Sequence, residues 1–173
     1  IPGIYRQKIK TKYERMISKA EKEILIETPY FLPGHYLRKL LCEAAQRGVN
    51  VVIITPIHSD VHVVDIIRRH YLGGLHQAGV KLFFYTAGNL HAKGIMIDQD
   101  VFSISSANFD YRSFRYQYEL ALIGKEKSLI PQLREHFDSS LKYCTSFDYQ
   151  SWKKRSTVER IIELMLLPFR YLF

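Results

Sequence analysis

Apolar residues recur at two periods along this chain, and the switches between periods mark its elements. Over 3–21, Ile4, Ile9, Tyr13, Met16 and Ile17 fall near one helical face with basic residues elsewhere, which predicts a first helix. EILIET (23–28) reads as a strand, ended by Pro29 and Pro33-Gly34. Residues 36–47 predict a helix with Gly48 as its C-cap. NVVIIT (50–55) is apolar on both faces, as a buried strand requires. A helix over about 60–78 follows, stopped by Gly79; VKLFFY (80–85) is the next strand, then a turn at Gly88-Asn89. Short strands at about 92–97 and 101–105 predict a hairpin, and ELALIG (119–124) a last strand. Helices are expected over 128–143 and 154–170.

A β-α-β-α-β opening followed by a hairpin implies a layered α/β fold with a mixed sheet. The expected division is one domain over 1–150 and a basic, then apolar, helical segment over 151–173. No internal repeat or low-complexity tract interrupts this plan. At 173 residues the chain can bury roughly 70% of its unfolded surface around one core.

Charge narrows the partners. The formal net charge is +8 and the pI about 9.5. That balance favours a polyanion, either nucleic acid or an anionic membrane surface, without choosing between them. No apolar run reaches the roughly 18 residues of a spanning helix. No secretory leader opens the sequence, and Ile1 suggests a segment of something longer. Cys42 and Cys144 have no metal-ligand spacing; a disulfide stays open, with two reduced thiols the preferred reading.

The candidate chemistry lies around the expected hairpin. Side chains alternate across a strand, so His91 and Lys93 project from one face. A turn at Asp98-Gln99-Asp100 reverses the chain and sets Ser105–Asn108 opposite His91–Lys93. An imidazole, an ammonium, the Ser106 hydroxyl and the Asn108 amide therefore converge. Imidazole can attack phosphorus or protonate a leaving alkoxide. Lys93 supplies fixed charge for non-bridging oxygens, and Ser106 and Asn108 supply neutral donors. Glu119 could accept from the second nitrogen of His91 and set its tautomer. Asp98 is either part of the chemistry or the anchor of the hairpin. A lone His-x-Lys on a strand is commonly just a partly exposed edge; the complete pattern is what points to phosphodiester chemistry.

His91-x-Lys93-x4-Asp98-x6-Ser105-Ser106-x-Asn108 resembles the HKD signature of the phospholipase D superfamily. The resemblance implies a mixed β-sheet flanked by helices on both faces, with no cofactor and no metal in the reaction. It implies that His91, Lys93 and Asp98 are the catalytic positions. It also implies a second HKD half, because the family pairs two motifs, one histidine becoming a phosphohistidine and the other acting as general acid, then base. That half would come from the same parent chain or from a homodimer. Ser105 stands where the family usually has Gly, which is tolerable if Ser105 keeps a negative φ. Glu27–Pro33, Ser59-Asp60, Ala107–Arg115 and the ending from Trp152 to Pro168 are similar to the C-terminal half of bacterial cardiolipin synthases. This narrower likeness implies phosphatidyl transfer between two phosphatidylglycerol molecules. It also implies a bacterial membrane location, peripheral or anchored by a segment outside this chain. A homodimeric single-motif nuclease and a non-catalytic binding half are the alternatives, with nucleic acid the less favoured partner.

Several other residues are candidates for the pocket. Tyr30, Phe31 and Tyr111 could line a lipid or glycerol channel, or simply pack in the core. Asp60 falls in a loop expected near the pocket entrance. Arg112 and Arg115 could meet a second phosphate or pair with Asp110 or Glu119. His58-x3-His62, with Asp60 and Asp65, has helical metal-ligand spacing but lacks a third strong ligand. His35, His70, His76 and His136 read as surface or packing residues. In the last segment Ile161, Ile162, Met165, Leu166 and Phe169 can form one apolar face behind Lys153, Lys154 and Arg155. Such a helix either lies on anionic lipid or packs against protein.

Overall fold

The computed structural model of the chain describes residues 7–173. Ile4 and the rest of 3–6 lie outside them. Among the described residues seven strands form one sheet, in the order β6-β5-β4-β1-β2-β3-β7. Its centre is parallel: β1 (Glu23–Glu27), β2 (Asn50–Pro56) and β3 (Lys81–Tyr85). The crossovers are α2 (His35–Gln46) and α3 (His62–Gln77), preceded by α1 (Lys8–Ser18). Beyond β1 the chain turns antiparallel through β4 (Gly94–Ile97), β5 (Val101–Ser105) and β6 (Ala121–Gly124).

Alternation along the strands builds a core on each face. Ile24 and Ile26 join Tyr13, Ile17, Leu37, Leu41 and Ile67 under α1–α3. Leu25, between them, turns to the other face with Ile54, Met96 and Phe102 against Ile130 and Phe137 of α5 (Ile130–Leu141). Apolar side chains on both faces explain why these strands read as unbroken hydrophobic runs. The expected α/β mixed sheet with helices on both faces is present.

The structure differs from the sequence reading mainly in short elements. α4 (Tyr111–Arg115) starts where the Asp110 carboxylate accepts from Ser113 N at 2.7 Å. β7 (Cys144–Ser146) adds to the far edge, antiparallel to β3, and α6 (Tyr149–Lys153) is capped by Asp148. None of the three is long enough to show a period. The helix expected over 154–170 is divided. A Ser156–Glu159 capping box opens α7 (Thr157–Leu166), and a 3₁₀ segment, Leu167–Leu172, follows with Pro168 in its first turn.

This C-terminal segment docks on α3. A Cβ on Gly73 would fall 2.0 Å from the Trp152 ring, so only glycine admits the indole there. Trp152 Nε1 donates to the Arg69 carbonyl at 2.8 Å. Arg155 lies over the Trp152 ring and pairs with the buried Glu163 at 3.3 Å. Cys42 and Cys144 are free thiols.

Candidate active site

The β4–β5 hairpin positions the site by its register. Gly94 pairs with Ile104 and Ile97 with Val101, which centres the reversal on Gln99. Asp98 and Gln99 both have positive φ, 54° and 53°, and Asp100 N donates to Ile97 O at 3.0 Å. Two left-handed central residues are the mark of a type I′ turn, whose twist suits flanking strands. At the open end Ser105 N donates to Lys93 O at 3.0 Å. The strands thus deliver His91–Lys93 and Ser105–Asn108 side by side. Ser105 is not among the positive-φ residues, so the substitution for the family's glycine causes no backbone conflict. Its Oγ accepts from Tyr13 Oη at 3.1 Å and donates to the Ala107 carbonyl.

His91 is exposed at this end, and Lys93 Nζ lies 3.2 Å from its Nδ1 and 2.9 Å from its carbonyl oxygen. Burial holds the Lys93 ammonium below the ordinary lysine pKa, while the carboxylates of Glu119, Asp110 and Asp60 pull it back up. Ser106 Oγ donates to Glu119, and Leu120 N donates to Ser106 Oγ at 3.0 Å. With its amide oriented by its neighbours, Gln117 donates to Glu119 at 3.0 Å and accepts from Arg112 Nε at 3.2 Å. Glu119 therefore meets Ser106 and Gln117, where sequence reasoning expected His91. Asn108 N donates to Ser113 Oγ at 3.1 Å, and its side chain hydrogen-bonds Asp110. Its Oδ1 is buried without a partner among the described residues. Burial pushes the Asp110 carboxyl up in pKa, against the bonds from Ser113 and Asn108.

The remaining candidates separate. Tyr30 donates to Asp60, and burial followed by that carboxylate pushes its phenol up to about 12. Asp60 also contributes to the charge environment of Lys93. Phe31 instead packs in the main core, bridging to Phe109. Tyr111 lines a small cavity of about 190 Å³ with Lys10, Asp110 and Arg115. The Arg112 backbone is held by Phe173 O at 2.7 Å. From the His58–His62 cluster, Asp65 turns inward to Arg68 and Ser59 N. Asp98 stands at the far end of the hairpin, where its oxygens accept from Glu21 N, Lys22 N and Glu23 N at 2.9, 2.7 and 2.8 Å. That set of bonds fastens the hairpin turn to the start of β1.

Sequence reasoning missed one part of the surroundings. A cavity of about 380 Å³ opens beside His91 and Lys93 and is lined by Ile104, Leu133 and Phe137. Its wall carries a buried Glu27 carboxylate that joins His136 Nε2 at 2.8 Å and Ser140 Oγ at 3.0 Å. Glu27 is the last residue of β1, and the helical partners are over 100 residues away. The sequence signals were an acidic residue closing the apolar run Ile24–Ile26 and its place in the Glu27–Pro33 stretch that carries the likeness.

Solved structures with this fold include the phospholipase D family member Nuc from Salmonella typhimurium. It aligns with TM-score 0.69 at 21% identity, over 80% of this chain and 90% of that one. Phosphatidylserine synthase of Haemophilus influenzae aligns with TM-score 0.78 at 15% identity, over 99% of this chain and 44% of that one. The fold is thus that of phospholipase D-type proteins. Residues 13–141 match the family model described as "Cardiolipin synthase, PLD-like domain", and the chain belongs to that family. It is 36% identical to a cardiolipin synthase of Clostridium perfringens over 165 residues, 95% of this chain and 35% of the relative. A cardiolipin synthase of Oceanobacillus iheyensis is 37% identical over 155 residues, 90% and 32%. The chain spans about a third of the length of these curated relatives.

Proposed function

We propose that the chain supplies one of two HKD half-sites of a cardiolipin synthase-type phosphatidyltransferase. The convergence of His91, Lys93, Ser106 and Asn108 at one open hairpin end carries the reading. Its exposed imidazole suits a site completed by a second half, from the same parent chain or across a two-fold interface. The substrate is phosphatidylglycerol, and the protein works at a membrane surface.

The chemistry runs in two displacements. A histidine of the other half attacks phosphorus of phosphatidylglycerol, forming an N–P bond as the P–O bond to glycerol breaks. His91 gives its proton to the leaving glycerol oxygen. Neutral His91 then takes the proton of a second phosphatidylglycerol's hydroxyl, whose oxygen attacks the phosphohistidine. The N–P bond breaks and cardiolipin is released. Lys93 offsets charge on the non-bridging oxygens, with Asn108 as a neutral donor and Ser106 as another once its one O–H turns from Glu119 to the phosphate. Asp98 acts as the anchor that sets the hairpin, and Glu119 orients Ser106.

The test is an assay of the purified chain and its His91→Ala variant with phosphatidylglycerol vesicles and with plasmid DNA. Glycerol release that His91→Ala abolishes supports the transferase. Nicking of DNA that the same substitution abolishes overturns it in favour of a homodimeric nuclease. If the monomeric chain acts on neither, adding the remainder of the parent protein should start glycerol release; failure to do so also overturns the reading.

A further inference from the structure

We propose that the outer face of α7 and the 3₁₀ segment after it is a docking surface for an anionic phospholipid bilayer. The inference deepens the phospholipid reading above and rests on it.

α7 packs only Leu166 of its apolar side chains on the main core and leaves the others outward. Its one fully buried residue is Glu163, 2% exposed and held by Arg155. The opposite face is apolar and open. Val158, Ile161, Met165, Phe169 and Leu172 recur every three or four residues, and Met165 is 69% and Leu172 64% exposed. The stripe continues from the α-helix into the 3₁₀ turns, a length of roughly 20 Å at helical rise. Isolated exposed apolar residues are ordinary, but an aligned row of this length marks an interaction site.

Charge selects the occupant. Lys153, Lys154 and Arg160 are exposed around the first turn of the stripe, and Glu159, the acidic residue there, is occupied by the Ser156 cap and Arg69. An apolar row behind exposed cations matches an interfacial helix on anionic lipid. A second copy packed stripe to stripe in parallel would bring the same cations together, which repulsion disfavours.

The surface is also tied to the site. Phe173 O accepts from Arg112 N, and Tyr171 meets the Tyr111 ring at 4.8 Å between centroids. Tyr111 opens α4, directly after Asn108–Asp110. A bilayer under this segment would lie beside the chain that carries the phosphate-binding amide.

The test is co-sedimentation of the chain with vesicles of phosphatidylglycerol mixed into phosphatidylcholine, and of phosphatidylcholine alone. The parent chain is expected to bind the mixed vesicles, more weakly in high salt, and to leave phosphatidylcholine largely unbound. Ile161→Glu with Met165→Glu alters only exposed side chains and should weaken binding about tenfold or more with unchanged thermal unfolding. Lys153→Gln with Lys154→Gln should remove much of the preference for phosphatidylglycerol. Equal binding by the glutamate variant and the parent overturns the proposal. So does failure of the parent to bind, including a parent dimer that the glutamate substitutions dissociate. Turnover of detergent-dispersed phosphatidylglycerol needs no bilayer and tests the function reading alone. Its absence alongside intact vesicle binding counts against the function and not against the surface.

Discussion

The two ends of the β4–β5 hairpin carry similar polar residues in opposite states. At the turn, Asp98 is saturated by three backbone N–H groups. At the open end, His91 is exposed, Asn108 Oδ1 lacks a partner among the described residues, and Lys93 is held below its usual pKa. A carboxylate that already accepts three backbone N–H bonds stabilises structure and has little left for a substrate. Groups kept incompletely paired, in a rigid frame, are the ones free to meet a phosphate. On the proposed function the motif divides its labour along the 4 residues of β4.

Substitutions at the two ends should separate that division, beginning at the open end. His91→Ala is expected to lower phosphatidylglycerol turnover by about 10³-fold, the scale of losing a general acid and base. Its thermal unfolding should stay near that of the parent because the side chain is exposed. Lys93→Ala should cost about 10²-fold in initial rate through lost charge stabilisation. Asp98→Ala should do the reverse. Its three partly exposed bonds suggest a stability loss of about 2 kcal/mol in denaturant unfolding. The rate per folded molecule should be retained. A normal midpoint with a lost rate would put Asp98 in the chemistry after all.

Smaller effects sharpen the boundary between the ends. Tyr13 Oη bonds Ser103 Oγ at 3.0 Å and Ser105 Oγ at 3.1 Å, midway along the hairpin. Tyr13→Phe should therefore cost about 1 kcal/mol by chemical unfolding. The pH dependence gives the finest comparison. Lys93 must be charged to act, and burial lowers its pKa below 10.5, so the alkaline limb of the rate should fall below that value. For stability the sign follows from linkage. Between the lowered folded pKa and 10.5 the unfolded chain binds more protons at this lysine, so its contribution rises with pH across that window. Glu119→Gln removes a charge that raises the Lys93 pKa, and should move the alkaline limb of the rate further down. An unmoved limb would show that Lys93 is not the group titrating.

Much of this arrangement was legible in the chain. Period-two and period-3.6 patterns marked every long element, because burial on one or both faces dictates them. Gly48 and Gly79 take φ of +90° and +97° where the sequence called for helix stops. The hairpin centre at Gln99, and with it the approach of Ser105 to Lys93, followed from strand alternation and the turn at Asp98-Gln99-Asp100. All of these are local, set by neighbours within a few residues.

What the tertiary structure decided is which polar group faces which. Glu119 went to Ser106 and Gln117, Phe31 went to the core, and Glu27 found His136 and Ser140 on α5. The outward direction of most apolar side chains of α7 was equally unreadable. Its apolar face is plain in the sequence, but the direction of that face depends on Trp152 seating against Gly73 and Glu163 turning to Arg155. Hydrophobic periodicity defines a face, and local chemistry defines a turn. Only packing between distant segments determines what each face meets.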